Sequence, residues 1–89
     1  MIDPDSRILI VDDEEDLRAL LSARLKALGL RADQAKNGQE AMQKLAEKPF
    51  DLVLLDILMP EMDGYSVLSA IKSDSRFHDI PVIVISAVD

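Results

Sequence analysis

Three places in this sequence carry side chains that could do chemistry. They are the acidic run Asp12-Asp13-Glu14-Glu15-Asp16, the aspartate Asp56 that closes Leu52-Val53-Leu54-Leu55, and Ser86, which closes Val82-Ile83-Val84-Ile85. Each follows an uninterrupted apolar run. Carboxylates gathered with no lysine or arginine beside them repel one another, and a hard divalent cation relieves that repulsion. Mg²⁺ suits a site of few carboxylates and several waters, and a phosphoryl group could share such a cation.

The elements that must position these residues follow from the apolar patterning. Arg7-Ile8-Leu9-Ile10-Val11 is β-branched and reads as a first strand. Leu17, Leu20, Leu21, Leu25 and Leu28 then recur at helical spacing, and Gly29 stands where a glycine closes a helix. Leu30 to Ala35 is a short charged segment that suits an edge strand. Asn37 with Glu40 resembles a capping box, and Ala41, Met42, Leu45 and Ala46 give one apolar face to a second helix that Pro49 stops.

Leu52 to Leu55 is a continuous apolar run too short for a helix by itself, and it reads as a strand covered on both faces, as in a parallel sheet. After Asp56, Pro60 cannot extend a ladder, Asp63 can cap a helix and Gly64 tolerates positive φ, so an irregular loop leads into a third helix marked by Val67, Leu68 and Ile71. Ser73 to Arg76 is its polar exit, and Pro81 introduces a fourth strand, Val82 to Ile85. The alternation of strand and helix predicts right-handed crossovers onto one open parallel α/β sheet. The C-terminal ends of parallel strands share one edge, where ligand sites of such sheets lie, so Asp12, Asp13, Asp56 and Ser86 are expected to converge there.

Composition narrows the partners. With 89 residues, 48% of them hydrophobic and 30% charged, the sequence is expected to form one soluble domain over residues 1–89. A chain this short buries only about 60% of its unfolded surface, so its stability should be thin. The net charge is -7 and no basic face is evident, which argues against nucleic acid or an anionic membrane as a direct partner. There is no cysteine for disulfides or thiolate metal sites. No apolar run approaches a membrane span and the start is acidic rather than signal-like, so a cytoplasmic location is expected.

At these residues the sequence resembles the receiver domain of bacterial two-component response regulators. The resemblance covers essentially the whole chain. It rests on Ile10-Val11-Asp12-Asp13-Glu14, on Leu54 to Gly64 with its Asp56-Ile57-Leu58-Met59-Pro60, and on Pro81-Val82-Ile83-Val84-Ile85-Ser86-Ala87, in the family's order and spacing. It implies a flavodoxin-like fold of strand order 2-1-3-4, with Asp56 as phosphoacceptor and Mg²⁺ held by Asp12, Asp13, Asp56 and the Leu58 backbone carbonyl. It also implies that Ser86 contacts the phosphoryl oxygens and that a histidine kinase or phosphotransfer protein is the donor. The chemistry is coherent, because a carboxylate attacks a dianionic phosphoryl group poorly until charge is neutralised.

Two departures bear on the expected function. Family members continue through two more helices and a fifth strand ending in lysine-proline, whereas this sequence stops at Asp89, so a truncated receiver is expected. That lysine stabilises transferred charge, and Lys26, Lys36, Lys44, Lys48 and Lys72 all fall on or beside helices and loops. The alternative function is therefore a non-signalling fragment that acts as a structural or self-associating module. With no fifth strand, Val82 to Ser86 would be an exposed apolar edge, and a homo-oligomer through it is expected.

Each site residue also has a structural reading: Asp12 and Asp13 as helix caps, Asp56 as a turn residue, Ser86 bonded to its own turn. A separate enzymatic activity is not expected, since no base, oxyanion donor set or lid is visible beyond this pocket.

Overall fold

A computed structural model describes residues 5–59 and 62–85. In chain order the elements are β1 (Arg7–Val11), α1 (Glu15–Ala27), β2 (Arg31–Ala35), α2 (Gly38–Glu47), β3 (Leu52–Asp56), β4 (Leu58–Met59), β5 (Met62–Asp63), α3 (Gly64–Ser73) and β6 (Val82–Ile85). Four strands form one parallel sheet in the order β2-β1-β3-β6. This is the α/β fold expected from the alternation, with the charged β2 at one edge and the apolar β6 at the other. No helix among the described residues is long and apolar enough to cross a membrane.

The side-chain period of a strand divides the core between the two faces of the sheet. Leu9 and Val11 of β1 join Val53 and Leu55 of β3 in one cluster, with Ala41 and Leu45 of α2 and Val67 and Ile71 of α3 packed on them. Ile8 and Ile10, of opposite parity, are equally buried and face the side where α1 packs on β1 and β2. Fully burying each such side chain contributes about 1.5–3 kcal/mol, which makes β1 and β3 the stabilising centre of the sheet.

The helix ends follow local chemistry. In α1 the Gly29 and Leu30 amides donate back to the Lys26 and Leu25 carbonyls, each at 3.0 Å, and Gly29 takes the left-handed φ of 84° that this closure needs. Asn37 Oδ1 accepts from the Glu40 amide at 2.8 Å, but the returning Glu40 carboxylate takes the Lys36 amide rather than that of Asn37, so the expected capping box is only half formed. At α3, Asp63 Oδ1 accepts from the Tyr65 and Ser66 amides.

Two expectations change, and the α1 pattern gains detail. The leucines that mark α1 are not equally buried: Leu17, Leu21 and Leu25, spaced by four, are half-buried, while Leu20 is 50% and Leu28 74% exposed, and the buried residue of the helix is Ser22. Spacing by four keeps one stripe toward the sheet, and Leu20 lies off it. The loop after β3 is not wholly irregular, since Leu58 pairs with Asp63 and Met59 with Met62 in a two-residue antiparallel ladder. Ladders this short carry no legible alternation. Lastly, Gly64 does not use positive φ; among the described residues only Gly29 does.

Candidate functional site

Register alone brings the two expected acids together. Val11 of β1 pairs with Leu55 of β3, so the next residues, Asp12 and Asp56, stand level on adjacent parallel strands about 4.8 Å apart and share a side-chain parity. At that spacing the negative charge on Asp56 acts directly on the Asp12 carboxyl. Two carboxylates on neighbouring strand ends repel each other, and a proton or a cation relieves that repulsion.

Asp12 is the buried member, 2% exposed, while Asp13 and Asp56 are half-buried. Burial pushes the Asp12 carboxyl above its ordinary value of 3.8; the Asp56 and Asp13 charges push the same way. The Glu14 amide, donating to Asp12 Oδ1 at 2.8 Å, opposes them. The helix-cap reading of the acids is thus partly true, since Asp12 anchors the turn into α1. The N-cap position itself belongs to Glu14, which makes no side-chain cap bond.

The donors gathered are hard oxygens, one of them desolvated. Among the described residues no three acid or histidine side chains form a complete metal-holding group by themselves. Such a set fits a small hard cation that keeps several waters and draws on backbone carbonyls, which is the habit of Mg²⁺. Leu58, the expected carbonyl donor, opens β4 two residues beyond Asp56. Ser86 lies outside the described residues; β6, described to Ile85, pairs Ile85 with Asp56.

The loop that leaves Asp56 is held from below. The Ile57 amide donates to the Ile85 carbonyl at 3.2 Å, and Gly64, at the start of α3, is buried against the Asp56-Ile57 backbone. Strand, loop and helix therefore leave little freedom for the Asp56 main chain.

The family model described as the response regulator receiver domain matches residues 8–89. The chain belongs to that family. Among curated relatives, this receiver is 42% identical over 82 residues to the probable transcriptional regulator ycf27 of Cyanidium caldarium, covering 92% of this chain and 32% of that protein. The chain thus spans about a third of the length of such relatives. The N-terminal domain of a response regulator receiver protein from Methanoculleus marisnigri superposes with a TM-score of 0.88 at 40% identity, covering 92% of this chain and 67% of that one. The response regulator TrrA of Thermotoga maritima, solved in complex with Mg(2+)-BeF, superposes with a TM-score of 0.83 at 39% identity, covering 94% of this chain and 71% of that one.

One feature of this receiver runs against the sequence-based expectation that no arginine stands beside the acids. Arg18, in the second turn of α1, donates from Nη1 to the Asp12 backbone carbonyl at 2.7 Å and from Nε to Gln34 Oε1 at 3.3 Å. Lys44 Nζ of α2 donates to the Gln34 carbonyl. The available signal was positional: four residues after the Glu14 N-cap, a side chain lies on the helix face above the turn that carries Asp12 and Asp13. Nothing in the sequence marked Gln34.

Proposed function

We propose that this receiver domain takes a phosphoryl group onto Asp56, with Mg²⁺ held by Asp12, Asp13, Asp56 and the Leu58 backbone carbonyl. The observation that carries this reading is the strand register that sets Asp12, buried at 2% exposure, level with Asp56 at the same sheet edge. An Asp56 oxygen attacks phosphorus, the bond from phosphorus to the donor breaks with its electron pair leaving on the donor, and an acyl phosphate results. When bound, the cation neutralises charge between carboxylate and phosphoryl oxygens. Asp12 and Asp13 orient it, and the Ser86 hydroxyl, assigned from its motif, contacts a phosphoryl oxygen.

The donor is a histidine kinase, a phosphotransfer protein or a small phosphodonor in the cytoplasm. The domain assists its own modification rather than turning over a separate substrate. Incubation with acetyl phosphate and Mg²⁺ followed by intact mass measures this directly: one phosphoryl adduct is expected on wild type and none on Asp56→Asn. An unmodified wild-type chain would refute phosphoacceptor function for these 89 residues.

A second reading, a self-associating module, is favoured by one observation. On the apolar strand β6, which pairs on one side only among the described residues, Ile83 is 51% and Val84 45% exposed on opposite faces, while Val82 packs against the core. The opposite edge is guarded, with Asp33 of β2 ion-paired to Lys48 at 3.0 Å and Arg7 at 3.6 Å. We propose that two copies of this chain associate through Val82 to Ser86. Light scattering across a dilution series tests it.

A further inference from the structure

The acid turn is held by more than its own residues. The Asp12 amide donates to the Ala35 carbonyl at the end of β2 at 3.1 Å, which fixes one side of the residue. On the other side, the Asp12 carbonyl receives the Arg18 guanidinium, whose Nε reaches the Gln34 side chain on the same strand. The Gln34 carbonyl is in turn bonded by Lys44 of α2. A single side chain therefore ties the Asp12-Asp13 peptide to β2 and through it to α2. Because the carbonyl it holds belongs to the peptide joining Asp12 to Asp13, the orientation of that plane sets where both carboxylates leave the backbone.

We propose that Arg18 is a positioning residue for the metal site, orienting Asp12 and Asp13 before a cation arrives. This deepens the phosphoacceptor reading above and rests on its assignment of Asp12 and Asp13 as ligands. Arg18 uses the planar fork of a guanidinium to meet two acceptors at once, which a lysine point charge does not reproduce. Partners that orient metal ligands from behind contribute about 10–100-fold to metal affinity.

Electrostatics and positioning predict opposite signs, which makes the role testable. A positive charge beside the acids disfavours a divalent cation, so if Arg18 acted by charge alone, its removal would tighten Mg²⁺ binding. If it positions the ligands, its removal loosens binding despite the lost repulsion.

The experiment is calorimetric titration of the folded chain with MgCl₂, paired with urea unfolding in metal-free buffer. Arg18→Met is expected to weaken Mg²⁺ binding about tenfold. Arg18→Lys is expected to restore part of the loss. Gln34→Leu, which leaves every charge in place, is expected to weaken binding by a smaller factor. Unchanged or tighter binding in Arg18→Met, with only a lowered urea midpoint, would overturn the proposal and leave Arg18 as a structural brace. If Arg18→Met does not fold, Arg18→Lys and Gln34→Leu decide, and wild-type affinity in both would overturn it equally. Asp13→Asn is the benchmark: if it binds Mg²⁺ as well as wild type, the ligand assignment fails and Arg18's role with it. A weakened Asp13→Asn beside an unaffected Arg18→Met would sink only the positioning role.

Discussion

Gly64 sits so close to the Asp56 main chain that a Cβ built on it would lie 2.7 Å from the Asp56 carbonyl oxygen and 2.5 Å from the Ile57 Cα. These are backbone atoms, which cannot swing aside. The glycine that opens α3 is there so that the helix can reach the strand exit carrying the candidate phosphoacceptor.

Gly64→Ala is therefore expected to destabilise the chain by at least about 2 kcal/mol, or to displace Asp56 and lower its phosphorylation. Gly29→Ala is the contrast, because open space surrounds its Cβ position and only the left-handed φ of 84° is strained. Its cost should be about 1 kcal/mol, with Mg²⁺ binding unchanged. Urea unfolding of both variants, with metal titration on the folded forms, checks the pair.

Mg²⁺ is expected to raise the melting temperature, whereas NaCl at equal ionic strength is not, because a ligand of the native state stabilises it by mass action. Asp13→Asn in metal-free buffer should be neutral or stabilising, since it relieves repulsion on Asp12, and should abolish most of the Mg²⁺ effect. Equal responses to both salts would reduce the acid cluster to ordinary screening.

The pH dependence has a definite sign. Asp12 holds its proton longer in the native state than in the unfolded chain, so its contribution is most favourable below pH 3.8 and is lost as pH rises through its elevated native value. Asp63 and Asp74 are displaced the other way. Hydrogen bonds from Ser66 hold Asp63 low and those from Arg76 hold Asp74 low, so their stabilisation is present above pH 3.8 and lost as pH falls below it. The two windows do not overlap. Above pH 3.8, metal-free Asp12→Asn, which keeps the Oδ1 acceptor for Glu14, should gain stability relative to wild type as pH rises. A constant difference between the two melting curves would contradict the assigned burial of charge. Mg²⁺ affinity of wild type should fall as pH drops through the same window.

At the other end of the sheet, Val84→Lys should leave the fold intact and shift the chain toward monomer, since the side chain it replaces is 45% exposed on a strand that, among the described residues, pairs on one side only. Size-exclusion with light scattering reads this. A wild-type chain that stays monomeric at high concentration would remove the self-association reading without touching the phosphoacceptor one.

The sequence by itself determined the alternation of the four sheet strands with three helices, the strand order through the family resemblance, and the acids at the strand ends. Those features are local. Runs such as Ile8 to Val11 and Leu52 to Leu55 state strand and burial through residue type, and a carboxylate after such a run has nowhere to lie but the sheet edge. The closing of α1 at Gly29 and the capping of α3 by Asp63 were legible for the same reason, since each is settled within a few residues. Tertiary structure decided what depends on distance between segments. Only the register of Val11 against Leu55 puts Asp12 beside Asp56, and only the packing of α3 on the strand exit shows that Gly64 answers to a close approach rather than to a turn angle. Packing also chose which leucines of α1 stay half-buried and which face water, because helical spacing names a stripe but not its width. Arg18 is the sharpest case. As a helical arginine among acids it reads as a solvated charge, and its geometry on the Asp12 carbonyl and Gln34 exists only once β2 lies beside β1.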